Sequence, residues 1–138
     1  MIVKTEQEMI GLGERLARAV NRPCLIELIG DVGAGKTTLV KGLARGLGVA
    51  DGITSPSFTI NKIYPFDGGT LSHYDFYRLD DAGIMKNEIA EVLEDPNAIV
   101  VVEWAGTVQD ALPENRIKVD IKYSADGTRT VQANGVHL

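Results

Sequence analysis

The chain has 138 residues, 44% of them hydrophobic and 24% charged, which predicts one globular domain over residues 1–138. The formal net charge of −5 argues against a surface that neutralises nucleic-acid phosphates unaided, and the single cysteine, Cys24, excludes a disulfide or zinc cluster within the chain. No apolar run reaches the roughly 20 residues of a membrane span and no secretory signal opens the sequence, so we expect a cytoplasmic protein without membrane contact.

The N-terminal third predicts a helix, a strand and a second helix. Thr5 followed by Glu8 is a capping-box signal, and the apolar residues that follow recur at helical spacing. The short apolar run CLIELI, Cys24–Ile29, predicts a buried strand. After a glycine-rich turn a second amphipathic helix is expected, and Gly46 and Gly48 are expected to end it.

The rest of the chain predicts mainly strands. FTINKIY and TLSHYD should pair around a turn at residues 65–69, and a helix is expected over about 81–94. AIVVVEW, Ala98–Trp104, is the most strand-like run, because continuous β-branched residues suit a strand covered on both faces. RIKVDIKY and TRTVQAN predict a C-terminal hairpin. We therefore predict an α/β fold with a mixed sheet, a parallel core plus antiparallel strands.

The segment GDVGAGKT fits the P-loop pattern G-x-x-x-x-G-K-[ST]. Backbone N–H groups of such a loop cradle a polyphosphate, its lysine places charge on the β- and γ-phosphates, and its threonine hydroxyl can ligate Mg²⁺. The position between a buried strand and a helix argues against a chance glycine-rich turn and predicts a three-layer P-loop NTPase-like fold. The predicted nucleotide-binding residues here are Asp31, Val32, Gly33, Ala34, Gly35, Lys36, Thr37 and Thr38.

Two acids are candidates for the rest of the site. Glu103 ends the strongest predicted strand, where a P-loop NTPase takes its second magnesium contact, directly or through water. Asp75 ends a strand that we expect beside the P-loop strand, where it could orient water or complete the magnesium shell. The alternative for Asp75 is a helix cap or a salt bridge with Arg78, and Arg78 itself could reach the phosphates or form only that ion pair. His73 is expected to be a packed histidine and not a catalyst.

Three further features bear on the ligand. Thr54, Ser55 and Ser57 lie where NTPases often place a switch that senses the γ-phosphate, although a plain Ser/Thr-rich turn would look the same. Trp104 could pack against the nucleotide or be an ordinary half-buried aromatic. Guanine recognition would need N-K-x-D, and NKIY has tyrosine in the place of that aspartate, so ATP is preferred to GTP.

Four segments, GDVGAGKTTLVKGLARGLGV, TSPSFTI, HYDFYRL and VVVEWAG, together resemble the TsaE family of bacterial P-loop ATPases in tRNA threonylcarbamoyladenosine biosynthesis. The resemblance covers nearly the whole chain. It implies a cytoplasmic, Mg²⁺-dependent ATPase, weak alone, that supports two partner proteins of sugar-kinase-like fold. Those partners would form threonylcarbamoyl and transfer it to the adenosine beside the anticodon, so the chain would meet tRNA only through them.

The resemblance also implies roles for individual residues. Lys36 would bind phosphates, Thr37 and Glu103 would bind magnesium, and Trp104 would lie near the nucleotide. Asp75 would take part in hydrolysis, which makes Lys36, Asp75 and Glu103 the implied catalytic set.

Two other functions stay open on the sequence. A small-molecule kinase would need a second substrate site and usually an arginine-bearing lid, and the arginines of this chain are scattered. A non-catalytic ATP-sensing module would need only that binding orders the loop around Ser55 and presents a surface to a partner.

Overall fold

The computed structural model describes residues 1–31, 33–50, 52–53, 61–77 and 83–138. In chain order its elements are β1 Ile2–Val3, α1 Glu6–Ala19, β2 Cys24–Ile29, α2 Lys36–Leu47, β3 Asn61–Phe66, β4 Gly69–Asp75, α3 Gly83–Val92, β5 Ala98–Glu103, a 3₁₀ helix Ala105–Ala111, β6 Ile117–Tyr123 and β7 Arg129–Asn134.

These strands form one seven-stranded mixed sheet in the order β1-β7-β6-β2-β5-β4-β3. β2 pairs in parallel with β5 and β6, and β5 pairs in parallel with β4. The β3–β4, β6–β7 and β1–β7 pairs are antiparallel. The predicted α/β fold with a parallel core, antiparallel additions and a C-terminal hairpin is confirmed.

The expectation that the strand ending at Asp75 lies beside the P-loop strand is wrong. β5 lies between β2 and β4. All six residues of β5, Ala98–Glu103, are buried, and such a strand needs a neighbour on each edge and a layer on each face. β5 therefore takes the centre, and Asp75 lies level with Glu103 on the adjoining strand.

The two faces of the sheet are covered by different helices. Ile99 and Val101 of β5 belong to the same buried cluster as Leu12 of α1 and Leu39 of α2. The alternate residues of β5 pack with Ile89 of α3 instead. Because successive side chains of a strand point to opposite faces, the last residue of β5 shares the face that α1 and α2 cover.

The start of α1 confirms the predicted cap. Thr5 Oγ1 accepts a hydrogen bond of 3.1 Å from the backbone N–H of Glu8. The reciprocal bond differs from the usual capping box, because the Glu8 carboxylate accepts from the backbone N–H of Lys4, at 2.6 Å, and not from Thr5. The partly buried Cys24 at the start of β2 is a free thiol, and burial raises its pKa to about 11.

Two details of the predicted boundaries are wrong. α2 continues through Gly46 and ends with Gly48, whose φ of 81° forms a left-handed C-cap. Gly46 lies inside the helix, where an added Cβ would come within 2.7 Å of Ala17 Cβ, so it serves helix packing. The turn between β3 and β4 is only Asp67–Gly68, because Pro65 fits into β3, an edge strand that tolerates a missing N–H.

Two elements were not predicted. β1 has only two residues, too few to show a period, and it is fixed by pairing with β7, including a 2.8 Å bond from Val131 N–H to Met1 O. The 3₁₀ helix Ala105–Ala111 carries no apolar periodicity that would separate it from a loop. Among the described residues, no helix combines the length and the apolar character that crossing a bilayer requires.

Close packing between α1 and α2 yields the first testable prediction. A Cβ on Gly13 would lie 2.6 Å from the backbone nitrogen of Leu43 and would also collide with Leu39 O, whereas Gly11 has open space around it. Gly13→Ala is therefore expected to lower the free energy of unfolding by about 1–3 kcal/mol through overpacking. Gly11→Ala, in the same helix, should raise it by up to about 1 kcal/mol. Urea unfolding of both variants measures this, and equal shifts would contradict it.

Candidate functional site

The P-loop, residues 30–37, joins the end of β2 to the first residues of α2. Gly33 and Gly35 have φ values of 82° and 110°, in the left-handed region that favours glycine. Gly35 is the N-cap of α2 and has no side chain to occupy the unpaired N–H groups of the first helical turn. The loop thus ends at a helix N-terminus with donors available for an anion.

Lys36 is buried at the centre of the site. Its side chain is only 7% exposed, and Nζ donates a 2.6 Å hydrogen bond to the carbonyl oxygen of Gly30. The same nitrogen lies 3.9 Å from Glu103 Oε1 and 4.0 Å from the centre of the Trp104 ring. The structure therefore brings together the predicted lysine, the predicted acid and the predicted tryptophan.

Three carboxylates act electrostatically on the lysine. Burial lowers the pKa of Lys36, and the carboxylates of Glu103, Asp75 and Asp31 oppose that shift, Glu103 most strongly. These acids come from β5, β4 and the P-loop respectively. The site thus combines one buried cation with carboxylates from three parts of the fold.

Glu103 is buried and its two oxygens face different partners. Oε1 is the atom nearest Lys36, while Oε2 lies 2.5 Å from Nε2 of His73, a fully enclosed residue of β4. His73 is packed, as expected from the sequence. Its bond to the candidate magnesium ligand was not predicted, because adjacent strands and their register cannot be read from the HYD segment alone.

Asp75 and Trp104 sit at the rim of the site. Asp75 Oδ1 accepts a 3.0 Å hydrogen bond from the backbone N–H of Tyr77, so within the described residues its local role is to hold the backbone just after β4. Trp104 has a φ of 54°, and its ring meets the exposed Tyr77 ring edge-on at 5.1 Å. A non-glycine residue held in that conformation directly after Glu103 is typical of functional sites.

The magnesium ligands predicted from the sequence fit the chemistry of that ion. Mg²⁺ prefers oxygen donors, takes few from the protein and keeps waters or phosphate oxygens as the remainder. Thr37 in the first turn of α2 and the carboxylate of Glu103 are such donors. Within the described ranges, no cluster of three or more His, Cys, Asp or Glu could hold a metal. Two oxygen donors of this kind would suit an Mg²⁺ ion that takes its remaining ligands from phosphate and water.

Arg129 contacts the P-loop and was not among the predicted residues. Nε donates to Ala34 O at 2.8 Å and Nη2 to Gly33 O at 3.3 Å, and the guanidinium lies over the Tyr123 ring at 5.1 Å. Because the C=O and N–H of one peptide plane point in opposite directions, the Gly35 N–H points away from the guanidinium that holds Ala34 O. Only the packing of β7 beside the loop reveals this, since no sequence pattern links residues so far apart.

Loss of the Arg129 contacts should loosen the P-loop. We expect Arg129→Ala to weaken ATP binding roughly tenfold, in line with the loss of one or two charge-assisted hydrogen bonds that shape the loop. Arg129→Lys should recover little, because a lysine lacks the planar two-donor fork. Isothermal titration with ATP and Mg²⁺ measures this, with the exposed Arg15→Ala as a control for lost charge. Equal affinities for Arg129→Ala and Arg15→Ala would contradict the role.

A second buried carboxylate, Glu27, lies on the P-loop strand and also escaped prediction. Glu27 Oε1 accepts from Arg116 Nε at 2.8 Å and Oε2 from Gln109 Nε2 at 2.7 Å, while Arg116 Nη2 donates to Gln109 Oε1 at 2.8 Å. Arg116 directly precedes β6 and Gln109 belongs to the 3₁₀ helix. The network therefore ties the P-loop strand to the segment that follows Trp104.

Some predicted residues fall outside the described part of the chain. Val32 of the P-loop, the hydroxyl residues Thr54, Ser55 and Ser57, and Arg78 stay predictions for this reason.

Comparison with known proteins places this site in a family. The family model "Threonylcarbamoyl adenosine biosynthesis protein TsaE" matches residues 3–131. A Streptomyces coelicolor protein named tRNA threonylcarbamoyladenosine biosynthesis protein TsaE is 37% identical over 131 residues, covering 91% of this chain and 88% of its own. The Treponema pallidum protein of that name is 33% identical, covering 94% of this chain and 96% of its own.

A solved structure agrees with these matches. The crystal structure of Bacillus subtilis YdiB superposes with a TM-score of 0.79 at 29% identity, covering 95% of this chain and 80% of that one. The fold, the extent of the matches and the sequence identities all indicate the same family. The chain therefore belongs to the TsaE family, which acts in tRNA threonylcarbamoyladenosine biosynthesis.

Proposed function

We propose that this chain is the ATP-binding and ATP-hydrolysing subunit of the machinery that makes N6-threonylcarbamoyladenosine next to the anticodon of tRNA. The family supports the pathway. The observation that carries the ATPase activity is the meeting of Lys36, Glu103 and Trp104 at the P-loop, with Asp75 level with Glu103 on the adjoining strand. A loop used only for structure would not need a buried lysine facing acids.

In this proposal each residue has a defined task. The Gly35 N–H, the first turn of α2 and the Lys36 ammonium bind the phosphates and hold them in place. Thr37 and Glu103 hold Mg²⁺, which when bound neutralises charge on the β- and γ-phosphates. Asp75 has one oxygen on the Tyr77 N–H, and we assign the other to the attacking water. Trp104 covers the lysine and limits access of bulk water.

The partners follow from the same proposal. Two proteins of sugar-kinase-like fold would carry the threonylcarbamoyl chemistry and hold the tRNA in the cytoplasm, and this subunit would drive their turnover. The net charge of −5 supports an indirect contact with tRNA, because direct binding to many phosphates calls for a basic surface. Weak hydrolysis by the free chain and faster hydrolysis in the complex are expected.

Phosphate release by the chain with and without the two partners tests the proposal. Asp75→Asn should retain ATP binding and lose most of the hydrolysis, because it keeps the shape of the side chain and removes its charge. Glu103→Gln should lose most of the hydrolysis together with part of the magnesium-dependent affinity, because it removes a charged magnesium ligand. Phosphate release that neither substitution changes, alone or with partners, would refute the ATPase mechanism.

Two separate experiments would identify the other two functions. Transfer of labelled γ-phosphate to an acceptor other than water would identify a kinase. A variant that binds ATP without hydrolysing it, yet restores tRNA modification in cells that lack this protein, would identify an ATP-sensing module.

A further inference from the structure

His73 lies beneath Glu103 in the closed interior of the site. Its side chain is fully buried, on the strand next to the one that Glu103 ends. In the β4–β5 register His73 is opposite Val101, and Asp75 is opposite Glu103. Because residues two apart share a face, His73 is the residue immediately inside Asp75 on the face that α2 covers. Its imidazole reaches diagonally to Glu103.

The hydrogen bond between His73 and Glu103 gives the two oxygens of the carboxylate different partners. Oε2 lies 2.5 Å from His73 Nε2, while Oε1 is the oxygen nearest Lys36. A carboxylate accepts, so Nε2 carries the proton that is donated, and hydrogen bonds to ionised acceptors are among the stronger ones in proteins. With Oε2 held from the inside, Oε1 is directed towards the P-loop.

The other ring nitrogen of His73 argues against a purely structural role. Nδ1 is buried and has no hydrogen-bond partner in the described part of the chain. A buried polar atom without a partner costs free energy that an apolar side chain of similar size would not. The hydrogen bond from Nε2 to Glu103 is therefore what a histidine provides here and an apolar side chain of similar size would not.

We propose that His73 is a positioning residue that orients Glu103 for magnesium. It acts through Glu103 and does not touch nucleotide or ion itself. Residues that hydrogen-bond the non-coordinating atom of a metal-ligating side chain commonly change the metal affinity about 10–100-fold. The role rests on the proposed function, since it gives Glu103 its orientation as a magnesium ligand.

Two substitutions separate this role from packing. His73→Gln places an amide nitrogen near the position of Nε2, whereas the shorter His73→Asn cannot reach Glu103. Trp104, the single tryptophan, lies over Lys36, so its fluorescence is expected to change when nucleotide binds. ADP affinity is measured in Mg²⁺ and in EDTA, which requires no turnover.

The expected result is a selective loss of the magnesium effect. The quantity compared is the ADP affinity in Mg²⁺ divided by the ADP affinity in EDTA. His73→Asn should reduce this ratio about tenfold and leave the affinity in EDTA unchanged. His73→Gln should restore most of the ratio. An unchanged ratio in His73→Asn, or equal losses in both buffers, would overturn the positioning role alone. Wild-type protein without magnesium-dependent binding would overturn the proposed function together with it.

A measurement on wild-type protein decides the matter should His73→Asn not fold. The chain has two histidines, and His137 is exposed, so ¹⁵N-edited spectra of the rings distinguish them. The proposal expects His73 to carry its proton on Nε2, with a downfield signal that Glu103→Gln shifts upfield. A proton on Nδ1 with a bare Nε2 would overturn the proposal, because such a ring cannot donate to Glu103.

Discussion

Replacing Lys36 with glutamine is expected to weaken ATP binding at least about 100-fold. The Lys36 ammonium is buried among carboxylates at the P-loop, and charge-assisted hydrogen bonds to phosphate contribute about 1.5–3 kcal/mol each. Two such bonds lost to a neutral amide correspond to that factor or more. Isothermal titration with ATP and Mg²⁺ gives the affinity directly.

The matched control for this prediction lies on the same helix. Lys41 is exposed on α2, so Lys41→Gln changes the net charge equally without touching the P-loop. Its ATP affinity should stay within about twofold of wild type, since an exposed charge is screened by solvent and salt. Similar losses in Lys36→Gln and Lys41→Gln would mean that general electrostatics, and not the buried ammonium, sets the affinity.

Replacing Glu27 with alanine is expected to lower the free energy of unfolding by about 3–5 kcal/mol. The substitution would leave the guanidinium of Arg116, whose side chain is 10% exposed, buried without its carboxylate, and an uncompensated buried charge carries a cost of that size. Gln109 would lose the same acceptor. Urea unfolding followed by circular dichroism measures the change.

Two further variants separate the buried network from ion pairing in general. Glu14 pairs with Arg45 at 3.6 Å on the exposed surface, and Glu14→Ala should cost under about 1 kcal/mol. The double variant Glu27→Leu with Arg116→Leu removes both charges and should recover much of the stability. A Glu27→Ala protein as stable as Glu14→Ala would show that the buried pair does not contribute in this way.

The local elements were predictable because their signals are local. The run Cys24–Ile29 has the observed bounds of β2, and β5 differs from its predicted run only at Trp104. The P-loop glycines were also predictable, because left-handed backbone at Gly33 and Gly35 favours that residue type. The error at Gly46 arose because a glycine that ends a helix and one that packs against a neighbouring helix look alike in sequence.

The sequence by itself determined most of the elements, the α/β class, the P-loop lysine and the acid that ends β5. These depend on hydrophobic period, turn chemistry and a contiguous motif. Only the tertiary structure placed β5 between β2 and β4, and so set Asp75 beside Glu103 and His73 beneath it. The bond from Arg129 to the P-loop was decided in the same way. Strand order and register depend on how the whole core packs, and no stretch of sequence carries that information alone.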